Sequence, residues 1–237
     1  MNKLDSELIE AALRRRDYVP VADKDDANVV IYNTCSVRDQ AENRVLSHLG
    51  TYRERAEEES LRFVHPANEA EIIAGVATSG LEVVQELPEV DTVFVPVGSG
   101  SYASGYCLTA GVLANAEVVA VQSEGADAAY QAWHSGRLDS IDQVTTFAEG
   151  IAVGTPFELT SHILRELLGD FVRVSDNDLR EAIRSTLTKE HILAEAAGVA
   201  SVAGAAACRS RIEGQTVVLP VCGRNLSTEK LRSILAP

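Results

Sequence analysis

The sequence predicts an α/β fold with a mostly parallel sheet and helices on both faces. Residues Thr92 to Val97 form a short apolar, β-branched run typical of a buried parallel strand, and Pro96 suits the end of such a strand. A turn rich in glycine and serine follows, and then a helix. Earlier, Val29 to Asn33 and Leu61 to Val64 are predicted as strands joined by a helix from about Val37 to Glu58, one right-handed βαβ unit.

Helices are also predicted at the start of the chain and near residue 176. From Leu4 to Arg16 apolar residues recur at helical spacing, with acidic residues early and arginines late, as the helix dipole favours. Ser36 is the candidate cap of the helix inside the βαβ unit. Asp176-Asn-Asp178 precedes an apolar periodicity and is interpreted as a helix start rather than a calcium loop.

The composition predicts a globular, acidic protein. The chain has 237 residues, 46% of them hydrophobic, and a formal net charge of −14. Such a surface repels nucleic acid and anionic membranes, and an acid-rich, lysine-poor chain suits a salt-loving host. No apolar run reaches the length of a membrane span, and no secretory signal pattern opens the chain, so we expect a cytoplasmic protein. The four cysteines lack metal-finger spacing, which favours reduced thiols.

The glycine- and serine-rich turn has the chemistry of a phosphate cradle. Gly98, Gly100 and Gly105 permit positive φ and close approach to a ligand, while Ser99, Ser101 and Ser104 offer hydroxyls beside the amides of a helix N-terminus. The alternative is a plain strand-to-helix turn without a ligand. Three glycines and three serines in eight residues exceed what a turn needs, so we favour the cradle. The spacing matches neither a Rossmann fingerprint nor a Walker loop.

Several ordered motifs around this turn resemble one family. The stretch is similar to the pyridoxal-phosphate-dependent threonine and serine dehydratases of the tryptophan-synthase-β-like fold, whose run of four glycines is here Gly98-Ser-Gly-Ser101. Phe147-Ala-Glu-Gly-Ile-Ala-Val153 resembles the family's Ala-Asp-Gly-Ile-Ala-Val segment. The family's Glu-Pro-Ser-Gly and Ser-Gly-Gly-Asn segments correspond to His191–Gly198 and Val218–Asn225, and the likeness begins near Arg62–Asn68 and Ile73–Glu82.

The resemblance implies a site for pyridoxal phosphate. Residues Gly98, Ser99, Gly100, Ser101 and Tyr102 would hold the phosphate, although Tyr102 stands where the family has a smaller or aliphatic residue and would obstruct it. Gly150 and Glu195 would flank the ring; the alternative for Glu195 is a surface carboxylate. Cys222 lies where the family places a Ser, Thr or Cys against the pyridine nitrogen, and a thiol there would leave that nitrogen unprotonated. The alternative for Cys222 is a buried strand-end thiol.

The first part of the chain resembles a different family. Met1–Glu7 and Tyr32–Glu42 are similar to the N-terminal domain of radical-SAM tRNA methylthiotransferases, which carry iron–sulfur clusters. In that family the Asn-Thr-Cys cysteine, here Cys35, ligates a cluster. The radical-SAM CxxxCxxC motif is absent and one thiolate cannot hold a cluster, so we expect none.

Together the two resemblances predict a chimera. Its parts would be a methylthiotransferase-like, flavodoxin-like βα fragment over residues 1–58 and a dehydratase-like domain over residues 59–237. The dehydratase motifs Ser-x-x-Lys-x-Arg-Gly and Ser-x-Gly-Asn-His do not occur in the sequence, so no catalytic residue is assigned. Lys189 and Lys230 are expected at ordinary solvated positions. Gln122 replaces the glutamate of the metal site of some relatives, so no metal site is assigned either.

Three function classes remain open. The first is a dehydratase-like protein, weakly active or inactive, that binds pyridoxal phosphate non-covalently and takes a small amino acid or phosphate ligand. The second is a methylthiotransferase fragment, and the third is a purely structural chimera. A domain that lost its packing partner exposes apolar surface, so we also expect a homo-oligomer.

Overall fold

The computed structural model describes residues 3–23, 26–31, 54, 56–60, 62 and 64–236. The chain forms two compact units, Met1–Phe63 and Val64–Pro237. None of the described helices is long and apolar enough to span a membrane.

The first unit contains the predicted N-terminal helix. Helix α1 spans Lys3–Arg14, and the Arg14 guanidinium donates to the Glu10 carboxylate one turn earlier, with Nη2 2.7 Å from Oε1. Residues 56–58 are helical, close to the predicted end of the second helix at Glu58, whereas Ser36 and most of that helix lie outside the described residues.

The predicted strands of the first βαβ unit are wrong wherever the structure describes them. Residues 29–31, 62 and 64 lie in no strand. Val29, Val30 and Ile31 are 47%, 40% and 51% exposed, so this apolar run is not buried as a strand of a parallel sheet would be. A short apolar run alone is therefore not sufficient evidence for a strand.

The second unit is the predicted parallel sheet with helices on both faces. In chain order it contains α2 (Ala70–Glu86), β1 (Thr92–Pro96), α3 (Ser101–Tyr106, continued by a π-helical turn Cys107–Gly111), β2 (Glu117–Ser123), α4 (Ala128–Ser135), α5 (Glu158–Leu167), β3 (Asp170–Val174), α6 (Asp176–Lys189), α7 (Ala200–Ala207), β4 (Val217–Val218) and α8 (Thr228–Leu235). The strands are parallel in the order β3-β2-β1-β4. Short 3-10 turns lie at Glu124–Ala126, Glu149–Ile151 and Ala197–Val199.

Alternate residues of the strands feed two separate cores. Val93 and Val95 of β1 pack on one face with residues of α3, α4 and α5, and Phe94 packs on the other face with residues of α6, α7 and α8. Since every residue of β1 is buried, this strand is central, and Pro96 ends it as predicted.

The start of α6 also agrees with the sequence. Ser175 caps the helix by accepting from the Asp178 amide at 3.2 Å, and the Asp178 carboxylate accepts from the Ser175 amide at 2.8 Å. The acidic run before Leu179 is therefore a capping box.

Candidate functional site

The strand order creates a crevice at the carboxyl end of the sheet. From β1 the chain continues to β2 on one side, while β4 pairs with β1 on the other side. Loops that leave neighbouring parallel strands in opposite directions leave a gap between them, and ligands of open α/β sheets bind there. The glycine loop follows β1 and Cys222 follows β4, so both border this crevice.

Gly100 gives the glycine loop its shape. Its φ of +90° is in the left-handed region, and a Cβ added there would lie 2.9 Å from the Cβ of Thr160. Thr160, in the first turn of α5, also donates its hydroxyl to the carbonyl oxygen of Ser99 at 2.9 Å. The loop is therefore clamped beneath α5 in a conformation that only glycine adopts without strain.

The other two glycines serve close approach rather than positive φ, which corrects the prediction. A Cβ on Gly98 would lie 3.1 Å from the carbonyl oxygen of Gly150. A Cβ on Gly105 would lie 2.9 Å from the Cα and the amide nitrogen of Ala77 in α2, so Gly105 belongs to a helix–helix contact. Neither has a positive φ.

Ser104 is not part of the cradle either. It lies one turn into α3 and is fully buried, and its amide donates to the carbonyl oxygen of Gly100 at 2.9 Å. Its hydroxyl has no hydrogen-bond partner within the described part of the chain. The candidate residues for phosphate binding are therefore reduced to residues 98–101.

Tyr102 is fixed by hydroxyl groups on α2 and α3. Its hydroxyl lies 3.4 Å from both the Ser79 hydroxyl and the Tyr106 hydroxyl, and its ring meets that of Tyr106 edge to face at 5.1 Å. Burial is the main reason that the pKa of Tyr102 is raised well above its usual range. The phenol is therefore neutral and held in place, so any obstruction by Tyr102 would be a fixed feature of the site.

Gly150, Glu195 and Cys222 lie near one another, and the carbonyl oxygen of Gly150 also contacts Gly98 of the glycine loop. A Cβ on Gly223 would lie 2.0 Å from the Glu195 carboxylate, and one on Gly150 would lie 3.9 Å from it. The Glu195 amide donates to the Gly223 carbonyl oxygen at 3.1 Å. Burial raises the pKa of Glu195 most, followed by the Glu149 carboxylate, whereas Lys230 lowers it. Glycines at 150 and 223 thus make room for a half-buried carboxylate beside the Cys222 thiol.

The Glu195 carboxylate affects the pKa of the Cys222 thiol. Cys222 keeps accessible surface, yet its pKa is raised, first by loss of hydration and then by Glu195. The alternative of a buried strand-end thiol is therefore incorrect.

The position of Lys230 differs from the prediction. Its ammonium group forms an ion pair with the Glu149 carboxylate, and the two side chains are only 35% and 27% exposed. Sequence reasoning missed this contact because 81 residues separate the partners and the lysine occurs in an ordinary polar helix. Lys189, at the end of α6, is exposed as predicted.

Gln122 is buried near the end of β2. Its side-chain oxygen accepts from the Tyr130 amide at 3.0 Å, and its side-chain nitrogen is buried without a partner in the described residues. Asp127 nearby pairs with Arg173 at 2.8 Å and accepts from Gln131 at 2.7 Å. Over the described ranges, no group of three or more His, Cys, Asp or Glu side chains suits a metal ion.

The residues around the crevice fit a phosphorylated aromatic ring. Glycine at position 100 lets the loop pack against Thr160, and the loop leads into the N-terminus of α3, whose backbone amides favour an anion. The Glu195 carboxylate lies beside Gly150 and Gly223, close to the Cys222 thiol. A separate open cavity of about 490 Å³ lies along α5, and none of the predicted site residues lines it; its lining includes Asn68, Leu138, His162 and Arg165.

Comparisons with known proteins show which family and which folds this chain is similar to. The family described as "Pyridoxal-phosphate dependent enzyme" matches residues 26–223. An L-threonine ammonia-lyase of Thermotoga maritima is 32% identical over 174 residues, which cover 73% of this chain and 43% of that protein. The catabolic L-threonine dehydratase of Escherichia coli K12 is 29% identical and matches 76% of this chain and 56% of its own length.

Solved structures show the same fold. Threonine deaminase isoform 2 of Solanum lycopersicum superposes with a TM-score of 0.73 at 28% identity, covering 77% of this chain and 54% of that one. Maize serine racemase superposes with a TM-score of 0.70 at 24% identity. The chain therefore spans about half the length of the relatives it matches.

Proposed function

Because this chain belongs to the family of pyridoxal-phosphate-dependent enzymes, we propose that it is a threonine/serine dehydratase-like lyase domain that binds pyridoxal phosphate in the crevice between β1 and β4. The observation that carries this proposal is the convergence of four segments at the carboxyl end of the sheet. Gly98 contacts Gly150, Gly150 lies near the Glu195 carboxylate, and that carboxylate lies near Cys222, although these residues are far apart in sequence.

Each segment has a distinct role in the proposed site. The amides and hydroxyls of residues 98–101 hold the phosphate, with Thr160 fixing the loop from outside. Gly150 and Glu195 flank the ring, and Cys222 lies against its nitrogen as a weak hydrogen-bonding partner. When bound, the cofactor supplies an electron sink for chemistry at the α-carbon of a small amino acid.

We propose that binding by this chain is non-covalent. Covalent attachment needs a lysine with a free amine facing the cofactor. Lys189 is exposed on α6, and the ammonium group of Lys230 is engaged by Glu149. The sequence lacks the family's lysine motif, so we expect this chain to be weakly active or inactive as a lyase on its own.

The methylthiotransferase resemblance of residues 1–56 is a weaker hypothesis. The pyridoxal-phosphate family match begins at residue 26 and so includes most of that stretch. Cys35 lies outside the described residues. Iron and sulfide bound after anaerobic reconstitution would favour this alternative, and a stable protein that binds neither group would favour a purely structural chimera.

We also propose a self-associating, cytoplasmic protein adapted to salt. Leu108, Val112 and Leu113 are 41%, 57% and 59% exposed on consecutive turns after the glycine loop, and a second copy would cover them. Cys107, Cys208 and Cys222 are free thiols, as a reducing compartment favours. The net charge of −14 opposes binding to nucleic acid.

Equilibrium dialysis of pyridoxal phosphate against two glycine variants tests the proposal. Gly100→Ala forces alanine into a φ of +90° against Thr160, so we expect at least about a tenfold loss of affinity. Gly214→Ala is the matched control, because Gly214 has a φ of +81° but no atom within 4 Å of an added Cβ. Equal affinity of the two variants for pyridoxal phosphate would contradict a phosphate site at residues 98–101.

A further inference from the structure

Helix α8 carries Lys230, whose ammonium group pairs with the Glu149 carboxylate. Its N-terminus is fixed by Ser227, whose hydroxyl accepts from the amide of Lys230 at 3.2 Å. Its last turn is fixed by Ile234, which is 1% exposed in the core, and by Arg184, which donates to the Ile234 carbonyl oxygen at 2.7 Å. Lys230 therefore extends from a helix that is anchored at both ends.

The partner of Lys230 is part of the turn that borders the site. Glu149 begins the 3-10 turn Glu149–Ile151, and the carbonyl oxygen of Gly150 in this turn lies against Gly98 of the phosphate loop. The Glu149–Lys230 ion pair thus joins α8 to the turn that contacts the cradle.

The charged side chains around the turn Glu149–Ile151 carry more negative than positive charge. Two carboxylates, Glu149 and Glu195, lie near one ammonium group, that of Lys230, and the neutral thiol of Cys222 completes the set. These groups come from the 3-10 turn, the segment before α7, helix α8 and the segment after β4. Glu149 takes the ammonium group, whereas no side chain of the described residues donates a hydrogen bond to the Glu195 carboxylate.

We propose that Lys230 is a positioning residue of the ligand site: by holding the Glu149 carboxylate, it keeps the neighbouring Glu195 carboxylate ionised and directed at the crevice. The role of Glu195 toward a ligand rests on the function proposed above, but its coupling to Lys230 does not. Without the ammonium group, the Glu149 carboxylate would repel that of Glu195 with no positive charge beside them, so the pKa of Glu195 would rise. Lys230 lowers the pKa of Glu195 and Glu149 raises it, in line with this arrangement.

The test measures the protonation of Glu195 in the ligand-free protein. The Glu195 carboxyl carbon is followed by ¹³C NMR from pH 3 to 9 in protein labelled at glutamate, with Glu195→Gln used to assign the signal. In Lys230→Met we expect the midpoint to rise, because a stabilising positive charge is lost. Lys230→Arg should restore it, and Lys189→Met, which removes an exposed lysine of α6, should leave it unchanged.

The Glu149→Gln variant tests the same electrostatic interaction without altering α8. It should lower the midpoint of the Glu195 titration, because the negative charge that repels Glu195 is removed. An unchanged midpoint in both Glu149→Gln and Lys230→Met would overturn the proposal. Titration of the wild-type protein with pyridoxal phosphate separates this outcome from a failure of the proposed function. If the ligand does not bind but the Glu195 midpoint shifts in the variants, only the proposed function is refuted. If the ligand binds but the midpoint does not shift, only the role of Lys230 is refuted.

Discussion

Burial is the main cause of the raised pKa of each free thiol in the described part of the chain, and only the neighbouring charges differ. Burial alone raises the pKa of Cys107 to about 12. Burial also raises that of Cys208, which the positive charge of Arg211 partly offsets. The Cys222 thiol adds the influence of a carboxylate, Glu195, to its loss of hydration. Only Cys222 borders the crevice, so it reports on the site.

We expect a ligand to protect Cys222 selectively from alkylation. Its raised pKa means that less thiolate is present at pH 8 than in an ordinary thiol, so reaction with iodoacetamide should be slow there and accelerate as the pH rises. Glu195→Gln should lower the pKa and speed the reaction at pH 8. Peptide mass spectrometry should show that pyridoxal phosphate slows labelling of Cys222 and not that of Cys208. Equal protection of both cysteines, or of neither, would argue against a ligand at Cys222.

The contact between α2 and α3 includes a close approach of Gly105 to Ala77. Gly105 of α3 lies against the backbone of Ala77 in α2, and α3 carries the cradle at its N-terminus. A displaced α3 would therefore move the loop as well.

Two glycine-to-alanine substitutions should have opposite effects on this helix pair. Gly105→Ala places a methyl group 2.9 Å from backbone atoms of Ala77, so we expect the free energy of unfolding to fall by about 1–3 kcal/mol. Gly75→Ala in α2 meets no atom within 4 Å and should raise it by about 0.5–1 kcal/mol. Urea denaturation measures both; a loss at Gly75 or a gain at Gly105 would contradict this description of the packing.

Local sequence signals predicted the elements that depend on near neighbours. The structure confirms three such elements, each of which depends on a few adjacent residues: the strand predicted at Thr92 to Val97, which ends at Pro96, the glycine turn after it, and the helix start at Asp176. The run at residues 29–31 misled because a strand exists only with a partner. Contacts such as Thr160 to Ser99, 61 residues apart, and Lys230 to Glu149 leave no local pattern, so they were missed.

The charge of the whole chain opposes its folding at low salt. The chain has 35 acidic and 21 basic residues, and folding brings the excess negative charges closer together. Local pairs relieve part of it: Arg211 pairs with both Glu117 on β2 and Asp170 on β3. Partly exposed pairs of this kind are worth about 0–1 kcal/mol each, so the general repulsion should dominate.

We therefore expect salt to stabilise the protein. Raising KCl from about 0.05 to 1 M shortens the screening length to about 3 Å and should raise the thermal unfolding midpoint by several degrees. Differential scanning calorimetry measures this, with an equal osmolality of sucrose as the control for exclusion effects. A midpoint that is flat or falls with KCl would show that local ion pairs outweigh the net charge.

Binding of pyridoxine 5′-phosphate most directly tests the central claim that the crevice holds the cofactor without a covalent bond. This compound has the phosphate and the ring of pyridoxal phosphate but no aldehyde, so it cannot bond to a lysine. Titrating each compound with the protein and following the phosphate by ³¹P NMR should give dissociation constants that agree within about threefold, which is under 1 kcal/mol. Two results would contradict the account. In the first, only pyridoxal phosphate binds, and substitution of Lys230 or Lys189 abolishes its binding. In the second, neither compound binds.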